Sequence, residues 1–76
     1  MNILRTDGKW LKLPEKGAVL DASHIAVETM QGQRLMVCPY RGQQLDIRRL
    51  PEGMYVLRSV GRKGVAHRLG YFTIKR

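Results

Sequence analysis

Residues 45–58 read Leu45-Asp46-Ile47-Arg48-Arg49-Leu50-Pro51-Glu52-Gly53-Met54-Tyr55-Val56-Leu57-Arg58, and the chain ends on Tyr71-Phe72-Thr73-Ile74-Lys75-Arg76. The two stretches spell strand, tight turn, strand, and then a last strand that stops on two bare cations. Pro51 presets φ and Gly53 tolerates φ > 0, so Pro-Glu-Gly reverses the chain between two apolar runs. Met54 to Val60 is apolar on both faces, as expected of a central strand. Gly61-Arg62-Lys63-Gly64 turns it into the last strand. There Val65, His67, Leu69 and Tyr71 share one parity and Phe72 and Ile74 the other, a phase break that a bulge at Gly70 reconciles.

Working back from this stretch, alternation at period two continues. Ile25 and Val27 oppose His24, Ala26 and Glu28, and Leu35 and Val37 oppose Arg34 and Met36, which predicts two half-buried strands joined by a hairpin at Gln31-Gly32. Pro39-Tyr40-Arg41-Gly42 reads as the next turn and Leu45-Asp46-Ile47 as a short strand. Asn2 to Leu4, Lys9 to Leu13 and Ala18 to Leu20 add short strands, with a turn at Asp7-Gly8. No ten-residue stretch keeps apolar residues at i, i+3, i+4 and i+7, so no substantial helix is expected. The pattern predicts one all-β domain over residues 1–76, an antiparallel sandwich or small barrel of about seven short strands. Ile25, Val27, Leu35, Val37, Leu45, Ile47, Leu50, Tyr55, Leu57, Phe72 and Ile74 are expected in its core.

The chain has 76 residues, enough for one small domain that buries a modest fraction of its surface and leaves little room for an enzyme cleft. The longest apolar runs, Leu35 to Cys38 and Met54 to Leu57, are four residues long, against about 20 for a membrane-spanning helix. Residues 1–15 hold Asp7, Pro14 and Glu15 and no apolar h-region, so they do not read as a signal peptide. Cys38 is the single cysteine, which excludes an internal disulfide; before Pro39 it reads as a small core or edge hydrophobe. The formal net charge is +8, and it is lopsided: residues 1–40 carry five cations and four anions, the remainder nine cations and two anions. A field of that sign attracts phosphate, lipopolysaccharide or acidic protein surfaces, and acts on association more than on fold.

No catalytic constellation accompanies these strands, and a non-enzymatic protein is expected. His24 and His67 are too far apart for a local metal motif, and no cofactor is implied. Ser23 and Ser59 lack the strained Gly-x-Ser-x-Gly elbow that exposes a nucleophile. Gly61-Arg62-Lys63-Gly64 lacks the Gly-x4-Gly-Lys-[Ser/Thr] spacing of a phosphate loop and reads as a hairpin turn. Arg58, Arg62, Lys63 and Arg68 are the candidate anion-binding residues. Near Tyr71 and Phe72 they support one alternative reading, a small basic β-barrel that binds single-stranded nucleic acid or another anionic polymer.

Met30-Gln31-Gly32-Gln33-Arg34-Leu35, Leu50-Pro51-Glu52-Gly53-Met54-Tyr55 and the terminal Phe72-Thr73-Ile74-Lys75-Arg76 follow one another in an order that resembles the C-terminal sorting domain of type IX secretion cargo, the Por secretion family. The likeness covers about residues 24–76. It lies in a strand ending in an apolar-x-Gly-x turn, an "LPxGxYxxxV"-like run and a "KFxKR"-like last strand. The family's usual Asn-Pro opening has no counterpart in residues 1–20, and Ser59 stands where an apolar residue is common. The resemblance implies an immunoglobulin-like sandwich that acts as a secretion signal. Its partners would be the type IX outer-membrane shuttle and sortase, a passenger preceding it in the chain, and anionic lipopolysaccharide. Its route would be the periplasm in transit, then the outer membrane and cell surface or the medium. Met1 would then not be the natural start. Carried over by position, the recognition residues are Gly32, Gly53, Tyr55, Phe72, Ile74, Lys75 and Arg76, with Lys75 and Arg76 expected to have no packing role.

Overall fold

The computed structural model describes residues 2–14, 22–41 and 44–76. Among them are six strands and no helix: β1 (Trp10–Lys12), β2 (Ala22–Thr29), β3 (Arg34–Pro39), β4 (Gln44–Asp46), β5 (Gly53–Gly61) and β6 (Ala66–Ile74). They form two antiparallel sheets, a four-stranded one in the order β3-β2-β5-β6 and a two-stranded one of β1 and β4. The all-β expectation holds in this two-sheet form. Of the early strands expected, residues 10–12 form β1. Asn2 to Leu4 makes only a parallel bridge from Ile3 to Tyr71, and Ala18 to Leu20 lies outside the described residues.

One apolar core joins the sheets. Leu11, Leu45 and Ile47 from the small layer meet Ile25, Val27, Leu57, Phe72 and Ile74 from the large one, and Tyr55 stacks on Phe72 with ring centroids 5.5 Å apart. Burying such side chains contributes roughly 1.5 to 3 kcal/mol each. Tyr40 is buried too, and its hydroxyl donates to the Pro14 carbonyl, joining the chain after β3 to the chain after β1. Buried polar tips of this kind need a partner, and this one has it. Gly42, the last residue of the turn expected there, lies outside the described residues.

β5 is central, paired with β2 on one side and β6 on the other. The hairpin at Gly61 to Gly64 closes with Gly64 N–H donating to Gly61 O at 3.0 Å. The phase break in β6 is real. Leu57 pairs with Gly70 but Arg58 pairs with Arg68, so Leu69 is the extra residue beside Gly70. A Cβ on Gly70 would stand 2.8 Å from the Asn2 carbonyl oxygen, because residues 2–4 run alongside β6 there and exchange backbone hydrogen bonds with Tyr71 at 2.7 and 2.8 Å. The absence of a side chain at Gly70 therefore admits the amino-terminal segment.

Two expectations are corrected. The Pro51-Gly53 turn does not fold β4 back onto β5, since β4 pairs with β1 and β5 with β2 and β6. The connection crosses from one sheet to the other, and Leu45, Ile47 and Leu50 are buried along it. Leu35 and Val37 are exposed, at 39% and 50%, while Met36 and Cys38 pack against the core. Both parities of Leu35-Met36-Val37-Cys38 are apolar, so periodicity does not decide between them. The register does: Ile25 faces Cys38 and Val27 faces Met36, and Leu35 is the extra residue of a bulge between Arg34 and Met36. Met36→Ala is expected to lower stability by about 1 to 2 kcal/mol and Leu35→Ala by less than about 1 kcal/mol in urea unfolding, the reverse of the order that alternation alone predicts.

Candidate recognition surface

β2 runs antiparallel to β5, with Thr29 opposite Tyr55, and β6 ends with Ile74 opposite Gly53. The turn after β2, the turn before β5 and the end of β6 therefore lie at one end of the large sheet. Gly32, Gly53, Tyr55, Phe72, Ile74, Lys75 and Arg76 come from three stretches of chain, and the pairing gathers them at this end. Gly32 closes the β2–β3 turn at φ 92°, where its N–H donates to Thr29 O at 3.0 Å; a residue with a Cβ is strained in that conformation. Tyr55 and Phe72 are cross-strand partners inside the core, and the Tyr55 hydroxyl donates to Pro51 O at 2.5 Å. Its ring thus ties the Pro-Glu-Gly turn to the sheet. Gly53, Met54 and Lys75 are exposed around them.

Arg76 is not bare. Its Nη1 donates to Leu50 O at 2.6 Å and its Nη2 to Gly8 O at 2.8 Å and Ile47 O at 3.1 Å, while its backbone N–H donates to Glu52 Oε1 at 2.6 Å. The planar fork of a guanidinium can serve several carbonyls at once, which an ammonium cannot do in the same geometry. The side chain fastens the end of β6 to the turn before β1 and to the β4–β5 connection. The expectation that both terminal cations lack a packing role is corrected for Arg76. Lys75, exposed and in no ion pair among the described residues, fits it.

The candidate anion-binding residues divide. Arg58 and Arg68 are cross-strand partners on the face of the large sheet that points away from the core. Arg58 Nε lies 2.9 Å from Glu28 Oε1, and Arg34 Nη2 lies 3.0 Å from Glu28 Oε2. Burial alone would raise the Glu28 carboxyl, but hydrogen bonds and charge from Arg34 and Arg58 outweigh it and hold the group below its ordinary value. Arg68 lies over the Tyr71 ring, 5.1 Å from its centroid, and donates to the Tyr71 hydroxyl at 2.6 Å. Arg62 and Lys63 stand exposed at the β5–β6 turn, at the opposite end of the sheet from Gly32, Gly53 and Lys75.

Of the five aromatic side chains, Tyr40, Tyr55 and Phe72 are buried, and Trp10 and Tyr71 each have an arginine over the ring. On the small sheet, Arg48 covers Trp10 and also binds Asp46 at 2.7 Å, which draws the Asp46 carboxyl down to about 2. Among the described residues no group of three or more His, Cys, Asp or Glu could hold a metal ion, and no helix is long and apolar enough to cross a membrane. Cys38 is half-buried, and desolvation raises its thiol. No family model, curated protein or solved structure matches the chain.

Arg76→Ala is expected to lower stability by about 1 to 2 kcal/mol, since three carbonyls lose a charged donor, while Lys75→Ala changes it by less than about 0.5 kcal/mol; paired urea melts of the two variants check this. A second outcome concerns Glu28. Its folded value lies below its ordinary 4.5, so the stability it contributes is present above pH 4.5 and is lost as pH falls through the folded value. Glu28→Gln should lower the melting midpoint at pH 7, and the gap to the parent should close on acidification below about pH 4.

Proposed function

We propose that this chain is a C-terminal sorting domain of the type IX kind, a non-enzymatic signal whose folded end is read by the outer-membrane machinery. The observation that carries the reading is the convergence just described. The three motifs that resemble the family are separated in sequence, yet their turns and the chain end share one end of one sheet. A machine that reads a folded signal needs such an arrangement, and Arg76 holds the last strand in place for it. In this reading Met54 and Lys75 are the exposed contacts, and Gly32, Gly53, Tyr55, Phe72, Ile74 and Arg76 shape the surface that carries them.

The sorting reading implies an immunoglobulin-like sandwich of about seven strands. Residues 2–4, hydrogen-bonded to Tyr71 along β6, are the natural candidate for the seventh. It also implies a passenger before the domain, passage through the periplasm, recognition by the shuttle, and removal by the sortase as the passenger is attached to anionic lipopolysaccharide at the surface. The alternative, a binder of single-stranded nucleic acid, calls for open aromatic platforms. Three of the five rings are buried, and the other two, Trp10 and Tyr71, each have an arginine over the ring, which favours the sorting reading.

In a type IX competent host, a passenger fused ahead of this domain is expected at the cell surface. Removing residues 71–76 should hold it in the periplasm. Lys75→Glu should reduce surface display several-fold while the isolated domain melts as the parent does. Surface and periplasmic fractions, with a melting curve for each variant, provide the measurement. Undiminished display after the six-residue deletion would refute the sorting reading.

A further inference from the structure

The two edges of the large sheet differ. Along β6, residues 2–4 exchange backbone hydrogen bonds with Tyr71 at 2.7 and 2.8 Å. β3, on the other side, pairs with β2 alone among the described residues. The outer backbone groups of such an edge are a template for a further strand, and charged side chains are a common way to blunt it. Leu35-Met36-Val37-Cys38 carries no charge, and Leu35 and Val37 are exposed. The bulge at Leu35 and the missing N–H of Pro39 limit the edge instead, and leave Met36 to Cys38 as the stretch that can pair.

Beside this edge a groove of about 470 Å³ opens between the two sheets, lined by Leu35 and Met36 of β3, Asp46 of β4, and Arg49 and Leu50 of the connection to β5. Leu50 is buried and Met36 half-buried, which makes the floor apolar, and Leu35, Asp46 and Arg49 are exposed around it. Residues opposite one another in a ladder share a face, so a strand added to β3 turns the side chains opposite Met36 and Cys38 toward the space between the sheets. The margin is cationic. Arg34 precedes the pairing stretch, Arg41 follows it and Arg49 borders the groove, while Arg48 already holds Asp46 at 2.7 Å. Glu28 offsets Arg34 only in part, because it also binds Arg58. A second copy laid antiparallel on this edge about Val37 would bring Arg34 of each copy beside Arg41 of the other, with a net charge of +8 on both. Like charges oppose that pairing and favour an acidic partner.

We infer that the β3 edge and the Leu35–Met36–Leu50 groove accept an extended segment of a protein partner, a short strand with an apolar centre and acidic residues on both flanks. Backbone hydrogen bonds to Met36 to Cys38 hold it, its alternate side chains fill the groove, and its carboxylates meet Arg34, Arg41 and Arg49. The site uses none of the seven recognition residues. It stands or falls separately from the sorting reading.

The test is an amide NMR titration of the whole 76-residue chain with a blocked synthetic peptide, Glu-Glu-Val-Thr-Val-Thr-Val-Glu-Glu, against a control in which every Glu is Lys. Saturable shifts at Arg34 to Cys38, Arg41, Asp46, Arg49 and Leu50 are expected, with a Kd at or below about 1 mM and slowed amide exchange along β3. The Lys-flanked peptide should bind at least tenfold more weakly. Leu35→Ser with Val37→Ser, both at exposed positions, should weaken the acidic peptide at least tenfold, and a melting curve shows whether the double variant keeps the fold. Arg49→Ser, at an exposed position outside the strands, should weaken it three- to tenfold whatever the double variant does. Equal binding of the two peptides would overturn the acidic partner. Shifts confined to β6 or to the Trp10 face, no saturable shift, or a titration unchanged in a folded double variant would overturn the site. Sedimentation as a dimer with β3 amides protected before any peptide is added would overturn it too, and would assign the edge to a second copy.

Discussion

A two-stranded layer has to cover one face of a four-stranded sheet, and much of the structure follows from that mismatch. β1 and β4 together contribute six strand residues, and of these only Leu11 and Leu45 are buried. The remaining cover comes from irregular chain: Leu13, Tyr40, Ile47 and Leu50 all enter the core from outside the strands. Irregular chain carries backbone groups that no ladder satisfies, so polar side chains have to meet them. The Tyr40 hydroxyl takes the Pro14 carbonyl, the Tyr55 hydroxyl takes Pro51, and Arg76 takes Gly8, Ile47 and Leu50. Long side chains with polar tips hold the small layer onto the large sheet.

The same mismatch shapes the surface. On the outward face of the large sheet Ala26, Glu28 and Val56 are buried, although among the described residues no second sheet packs there. The Arg34–Glu28–Arg58 cluster lies across this face and neutralises part of the charge there. Lys75 stands exposed by the gathered turns at one end of the sheet, and Arg62 and Lys63 stand exposed at the β5–β6 turn at the other.

Local features were legible in the sequence. The Gly61–Gly64 hairpin, the two-sided apolar pattern of β5, the phase break at Gly70 and the Asp7-Gly8 turn all rest on neighbouring residues, where turn chemistry and period two suffice. What depends on distant pairing was not legible. Leu35-Met36-Val37-Cys38 is apolar at both parities, so only the register with Ile25 and Val27 selects its buried face. The sheet to which β4 belongs depends on β1. Glu28 opposite Arg34 could have been found by closing the hairpin about Gly32 with its bulge, but Arg58 joins them through the β2–β5 register, across 30 residues. Arg76 had no sequence signal at all, since its acceptors are backbone carbonyls, which every residue supplies. The gathering of the seven recognition candidates at one end came from the antiparallel order of β2, β5 and β6.

The central claim is that the end of the last strand is held in one place before any partner binds. Backbone ¹⁵N relaxation of the isolated domain tests it most directly. Ordered strands give order parameters near about 0.85 and mobile tails fall below about 0.6. Residues 72–76 are expected at the value of β5, with residues 75 and 76 dropping toward the mobile range in Arg76→Ala. Order parameters below about 0.6 for Lys75 and Arg76 in the parent protein would contradict the account, because the terminal cations would then be a free tail.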